Sequence, residues 1–372
     1  METTVFILCM FEFLIKATVI TMKQLVAIAP GKLSFFDYED KPIGEDEVYV
    51  KVLYASPKHG SEIADFRGTS PFIKEKYDSE WQLFLPRQEH EQTGVVFGQW
   101  NVGNMVVGKI IEKGKQVTEY EIGDLVCTYG GIRETHIVKA VDNHRLLKVP
   151  NNLSWQNAVC YDPAQFALGG IRDGNVRPGD YVAIFGLGAI GQLAVQMAKH
   201  IGATIIAIDP IKVRRDIAAR HGAAFTINPM EVDTGFEIKK LTDKKGTDVI
   251  IETSGSKEAL QHSLRGLAYG GTISYVAWSK EFSGGLDLGR EAHYNNAKII
   301  FSRVASEPFH DYPRWNRKRI EKTVWQMLTS GFLDCTDIIQ PVVNFEEAAE
   351  AYTINVDQHP ERSIKLGITF NK

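Results

Sequence analysis

The chain is poor in the residues that build a metal centre or a disulfide framework. Its 372 residues hold four cysteines, Cys9, Cys127, Cys160 and Cys335, and no CxxC pair. Thiols scattered this way form neither a zinc knuckle nor a set of bridges, and they fit a reducing cytoplasm. Charge of one sign is scarce too, with 42 Lys and Arg against 46 Asp and Glu and no long run of either. That balance argues against nucleic acid or an anionic membrane as a partner and leaves a small molecule as the ligand class. Long apolar runs are missing as well. The opening METTVFILCMFEFLIKATVIT comes nearest, but it has no early Lys or Arg, and Glu12 and Lys16 break it. It is too interrupted to span a bilayer. Residues 1–21 are read as an over-extended start, with a degraded signal or anchor as the other reading.

What the chain does have is enough apolar residue, 44%, for two domains with a core each. From Met22 to about 161 the text gives short strands split by Gly, Pro and Asp: EVYVKVLYA, NMVVGKIIEKG, DLVCTYG, ETHIVKA and RLLKVP. That spacing predicts a compact, barrel-like β domain. Over 162–303 the pattern changes to alternating strands and helices, which predicts a doubly wound parallel sheet. The remainder, 304–372, gives an amphipathic helix around Ile320 to Leu328, another at Glu346 to Ile354 capped by Asn344, and a closing strand SIKLGITF. This last segment is expected to return to the first domain.

The sharpest motif is the stretch YVAIFGLGAIGQLAVQMAKHIGATIIAIDP. Gly186, Gly188 and Gly191, with Ala189 and Ile190 between them, stand directly between an apolar strand and an amphipathic helix. The first permits a tight turn, the second lets backbone approach a pyrophosphate, and the third lets helix and strand pack closely. Asp209 ends the next strand, where its carboxylate would accept a ribose 2′-hydroxyl and repel a 2′-phosphate. NAD(H) is therefore expected over NADP(H). Arg214 lies near enough to pack over the adenosine or touch the ribose.

With EIGDLV, GGIRETHIV, VRPGDYVAIFGLGAIGQLAVQMAKHIGA, IDPIKVRRDIAARHGA and FEEAAEAY in this order, residues 22–372 resemble the medium-chain dehydrogenases, the alcohol and polyol dehydrogenase superfamily. The resemblance implies an α/β protein, a GroES-like β domain plus a Rossmann domain, with the active site between them. It also implies a homodimer or homotetramer, and a hydride-transferring oxidoreductase acting on a secondary alcohol such as a polyol, a sugar derivative or a larger hydroxylated metabolite.

Zinc members of that family carry a Cys-x-[Ser/Thr] turn, then Gly-His-Glu, then an acidic or cysteine ligand. Here those places read His59-Gly60-Ser61, Gly103-Asn104-Met105 and Asp162. A catalytic zinc needs three good donors, and an amide and a thioether do not complete them. Zinc is not expected, although His59, Asp162 and His90 keep a site with unusual ligands open as an alternative. Without a Lewis acid, a side chain must move the hydroxyl proton. By the resemblance His59 takes that role, Ser61 holds the relay position and Asp162 orients the imidazole. Lys58 is another candidate proton donor, set against a merely solvated lysine. Asn104 and Met105 would reach substrate from the vacated ligand positions, Glu62 is structural or ribose-facing, and Tyr161 is pocket wall or core.

Forty-two residues separate Gly60 from Gly103, and they include Phe72, Tyr77, Trp81, Phe84, Phe97 and Trp100. Such an arm suits either a large flat substrate or sugar ring, or an extra hairpin packed on its own domain or a second subunit. Two further activity classes stand beside the dehydrogenase: an enone reductase, which Asp209 disfavours, and a non-catalytic NAD(H)-binding relative.

Overall fold

Alternation along Glu47–Ser56 builds the first sheet. Val48, Val50 and Val52 are buried while Lys51 between them is exposed, the period of a strand with one face on a core. The structure is a computed structural model that describes residues 21–88, 91, 94–278 and 282–370. Residues 1–20, nearly all of the segment read as an over-extended start, lie outside these, as does His90.

Glu47–Ser56 pairs antiparallel with Met105–Lys113, with Thr135–Lys139 and with the closing strand Lys365–Thr369. The sheet has seven strands and also takes in Ile339–Asn344, Leu125–Tyr129 and Leu147–Lys148. The last segment of the chain thus supplies two strands beside the first. The ribbon Met22–Ala29 with Lys32–Tyr38 packs on the same domain, with Leu25 and Ala27 in its core. In the long arm, Glu75–Asp78 and Leu83–Pro86 form the hairpin that was one of its two readings.

The second sheet is parallel throughout, six strands in the spatial order Phe225–Ile227, Thr204–Ile208, Tyr181–Phe185, Thr247–Glu252, Leu267–Tyr275, Lys298–Phe301. In chain order this is 3-2-1-4-5-6, the order of the doubly wound dinucleotide fold. Its strands read as continuous apolar runs because helices cover both faces. Ala189–Ile201 follows the glycine turn; of the residues that helical spacing picks out, Leu193, Ala194, Met197 and Ala198 are buried, while Ile190 and Ile201 at its ends are partly buried. Gly202 at φ +94° ends it. The helix Tyr161–Asp173 packs against Ala189–Ile201 and against Arg317–Thr329. One continuous core therefore runs from Met105 in the first sheet through Val182 in the second to Leu328.

Among the described residues no helix is long and apolar enough to cross a membrane. The amphipathic helix expected around 320–328 is Arg317–Thr329. The one expected over 346–354 is broken into the turn Phe345–Glu347 and the short helix Ala348–Tyr352, followed by a wider turn through Gln358. Asn344 caps it together with Glu347.

Candidate active site between the two domains

Pro57, which has no N–H to donate, ends the strand Glu47–Ser56, and the helix Ser61–Phe66 begins four residues later. The turn between them carries Lys58 and His59, and three bonds stitch it to the closing strand. Ser56 Oγ donates to the Leu366 carbonyl at 2.7 Å, Lys365 Nζ to the Pro57 carbonyl at 2.6 Å, and the Leu366 N–H to His59 Nε2 at 2.9 Å.

These bonds overturn the expected role of His59. Its Nε2 is already an acceptor, which fixes the proton on Nδ1. Burial and the positive charges of Lys365 and Arg214 pull the imidazole down to about 3, so the ring is neutral at physiological pH. The partner expected for it also lies elsewhere, since Asp162 Oδ2 is 3.3 Å from Lys58 Nζ. Asp162 and Phe166 sit four residues apart on the helix Tyr161–Asp173 and so share a face. Lys58 Nζ stands 4.6 Å from the centre of the Phe166 ring. The pair that lysine and helix make is ammonium on carboxylate, braced by an aromatic face.

Lys58 and Ser61 line a cleft of about 420 Å³ between the domains. Phe72 enters from the long arm, Phe166 from the helix, and Tyr275 and Trp278 from the dinucleotide domain. Tyr275 ends its strand, so the cleft opens at the carboxyl edge of the parallel sheet, where ligands of such sheets bind. Phe72 and Trp278 stack at 5.9 Å and 26°, one ring from each domain.

Three expected pocket residues are elsewhere. Tyr161 is 1% exposed, wedged between the rings of Tyr129 and Trp325, because it falls on the core side of its helix. Met105 is fully buried as the first residue of a core strand. The Asn104 amide nitrogen is sealed from solvent, without a partner among the described residues. Glu62 proves structural: it accepts the Tyr352 hydroxyl at 2.8 Å and the Gly103 N–H at 3.0 Å. Burial pushes its carboxyl up to about 7.

The glycine turn fits a dinucleotide. A Cβ at Gly186, φ +83°, would stand 2.8 Å from the Ser254 nitrogen, and one at Gly191 would meet the Gly186 carbonyl at 1.9 Å. A Cβ at Gly188 meets nothing within 4 Å, so this is the place where the turn leaves room for a phosphate at the helix N-terminus. Asp209 accepts the Leu187 and Ile211 N–H groups, one on each oxygen and both at 2.8 Å, which leaves each oxygen a lone pair for a hydroxyl. Arg214 lies beside Asp209, its Nη1 3.7 Å from Oδ2, and it has a second set of partners that the sequence did not suggest. Its Nη2 donates to the carbonyls of Pro360 and Ser363, so the guanidinium ties the two domains together.

The sequence reading missed Phe166, Tyr275, Trp278 and Lys365. The position of SYVAW at the end of a parallel strand was a usable signal for two of them; Phe166 and Lys365 had none. A larger depression of about 800 Å³ lies beside the helix Lys257–Gly266. Its Arg265 is spent on Asp233 and Glu291, and it shares no lining residue with the cleft between the domains.

The sequence profile of the zinc-binding dehydrogenases matches residues 189–321. D-guloside 3-dehydrogenase of Escherichia coli strain K12 is 58% identical over 350 residues, which cover 94% of this chain and all of that protein. Sorbitol dehydrogenase of Bacillus subtilis strain 168 is 30% identical over 204 residues, 55% of this chain and 54% of that one. Among solved structures, 2R,3R-butanediol dehydrogenase from Bacillus subtilis superposes with a TM-score of 0.73 at 19% identity, covering 94% of this chain and all of that one. The donors present do not suit the zinc in the profile's description. His59 and Asp162 are committed to Leu366 and Lys58, and among the described residues no three His, Cys, Asp or Glu side chains are grouped to hold a metal ion. With a whole-length match to a dehydrogenase, a 3-2-1-4-5-6 parallel sheet and a cleft at its carboxyl edge, the chain belongs to the medium-chain dehydrogenase family and is an alcohol-oxidising enzyme.

Proposed function

We propose that the protein interconverts a secondary hydroxyl of a sugar glycoside and the corresponding ketone with NAD(H), without zinc. The observation that carries this reading is Lys58, held from behind by Asp162, lining an aromatic cleft at the carboxyl edge of the dinucleotide sheet. Whole-length identity to D-guloside 3-dehydrogenase supports the glycoside and oxidation at its 3-position. Aromatic faces suit the C–H faces of a sugar ring, while Lys58 and Ser61 supply the polar contacts that fix its hydroxyls. Gly188 and Asp209 would hold NAD at its pyrophosphate and its ribose, and the bound cofactor supplies the hydride acceptor.

The chain's own part is to position the hydroxyl and take its proton. In oxidation the Lys58 ammonium, held by Asp162 and partly open to solvent, first gives a proton to water; the amine so formed accepts the hydroxyl proton, and Asp162 stabilises the ammonium that re-forms. In reduction the same ammonium returns the proton to the ketone oxygen. Ser61 passes the proton or orients the hydroxyl. His59, originally the candidate for this step, acts instead as a fixed acceptor for Leu366. The exposed edge strand Lys298–Phe301, with Phe301 72% exposed, supports assembly as a homodimer or homotetramer. Cys127, Cys160 and Cys335, all free and buried, support a cytoplasmic setting.

The test follows cofactor absorbance after chelator-treated protein meets NAD with methyl glycosides and free polyols. Turnover with glycosides is expected to persist without metal. Lys58→Met should lower kcat by at least about a hundredfold while NADH binding holds. Activity that vanishes on chelation and returns with zinc, or a Lys58→Met variant of normal kcat, overturns the mechanism. NADH binding without turnover of any substrate overturns the activity.

A further inference from the structure

Residues Pro360 to Leu366 connect two places that the proposed reaction needs. At one end is Arg214, on the helix Lys212–Arg220 of the dinucleotide domain. Its Nη2 donates to the Pro360 carbonyl at 2.6 Å and the Ser363 carbonyl at 2.7 Å. Its Nη1 stands 3.7 Å from Asp209 Oδ2, and its buried Nε has no partner among the described residues. At the other end, Lys365 and Leu366 grip Ser56, Pro57 and His59, the residues on either side of Lys58. Between the ends, Ser363 Oγ donates to the Asn355 carbonyl at 2.6 Å and pins the segment to its own domain.

We propose that this segment is a strap through which a dinucleotide bound at Asp209 sets the position of Lys58, with Arg214, Lys365 and His59 as its positioning residues. The proposal rests on the reading of Asp209 as the ribose acid and Lys58 as the proton carrier. The physical cause lies in what Asp209 shares. Each of its oxygens already accepts one backbone N–H, so a ribose hydroxyl and Arg214 Nη1 draw on the same remaining lone pairs. When the hydroxyl takes one, Arg214 leans more on the Pro360 and Ser363 carbonyls. A ligand shifts an equilibrium only through such a difference in contacts.

Burial makes the redistribution count, because hydrogen bonds among groups shielded from water are stronger and costlier to break. Lys365 is only 3% exposed and its ammonium is bonded to the Pro57 carbonyl. A buried cation holds on to such a partner, so movement of the strap is passed to the turn rather than lost. His59 completes the grip from the other side, since its neutral ring is the acceptor for the Leu366 N–H. Coupling of this kind is reciprocal: a ligand held by Lys58 should in turn tighten NADH.

Hydrogen–deuterium exchange of the full chain, with and without saturating NADH, tests the strap independently of turnover. In the wild type NADH is expected to slow exchange over Gly186–Gly191, at the Leu366 amide and over Lys58–Glu62. In Arg214→Met the protection of Gly186–Gly191 should persist, while the protection at Leu366 and Lys58–Glu62 falls by roughly two- to thirtyfold. Arg214→Lys, which keeps a donor for the carbonyls, should restore part of it. His59→Leu cuts the other end, so the Leu366 amide should exchange rapidly with or without NADH. Kinetically, Arg214→Met should lower kcat at saturating NAD more than it raises the KM for NAD.

Undiminished protection of Lys58–Glu62 in Arg214→Met with NADH bound overturns the strap. If that variant does not fold, the same result in both Arg214→Lys and His59→Leu overturns it. Failure of NADH to protect Gly186–Gly191 in the wild type overturns the dinucleotide reading instead, so the two failures are told apart.

Discussion

At the scale of single residues, the site is governed by which lone pairs are already taken. His59 and Lys58 are neighbours in one turn, yet the backbone of Leu366 occupies the histidine while the carboxylate of Asp162 meets the lysine. Burial then acts on His59 and Glu62 in opposite directions. The folded chain holds the Glu62 proton more tightly than the unfolded chain does, since its carboxyl lies at about 7 against an ordinary 4.5. Its contribution to stability is therefore full below pH 4.5 and is lost as pH rises through about 7. His59, drawn from 6.5 to about 3, has the reverse sign: its contribution is full above pH 6.5 and is lost as pH falls toward 3. Glu62→Gln removes the first of these alone. Compared with wild type, the variant should gain up to about 3 kcal/mol of unfolding free energy between pH 4.5 and 7, measured by urea unfolding across that range. A difference that stays flat with pH would mean that Glu62 titrates as an ordinary carboxylate.

At the scale of elements, the glycine turn separates binding from folding. Gly188 has φ −69°, open to any residue, and free space where its Cβ would go. Gly188→Ala should fold with an unchanged melting temperature but lose tenfold or more in NADH affinity, about 1.4 kcal/mol, read by fluorescence titration. Gly191→Ala should do the opposite first and unfold early, because its Cβ would lie 1.9 Å from the Gly186 carbonyl. Equal losses of stability in the two variants would mean that the space at Gly188 is needed for the fold and not for a ligand.

At the scale of the whole molecule, the cleft exists only because two domains face each other. Phe72 comes from the arm after the first turn and Trp278 from beyond the fifth strand of the parallel sheet. Both are partly exposed, 36% and 44%, so their faces are available to a ligand. Trp278→Ala should raise the KM for a glycoside by roughly tenfold, the cost of losing a large aromatic contact of about 1.5 kcal/mol, with the KM for NAD unchanged. An equal rise for both would place Trp278 in domain closure and not in substrate recognition.

Most of the architecture was legible in the sequence because it follows from local periodicity. Valines at every second position give the strand before the turn, and helical spacing after three glycines gives the dinucleotide unit. The sequence also shows an amide and a thioether, Asn104 and Met105, where zinc members of the family place ligands. What local pattern could not supply was the partner of each polar group. Lys58 meets Asp162, His59 meets Leu366, and Arg214 meets Pro360, across separations of 104, 307 and 146 residues. The sequence by itself determined that this chain forms a β domain, with a polar turn after one of its strands, and then a dinucleotide sheet. Only the tertiary structure decided that the lysine of that turn, and not its histidine, faces the cleft, because the closing strand arrives from the far end of the chain and takes the imidazole first.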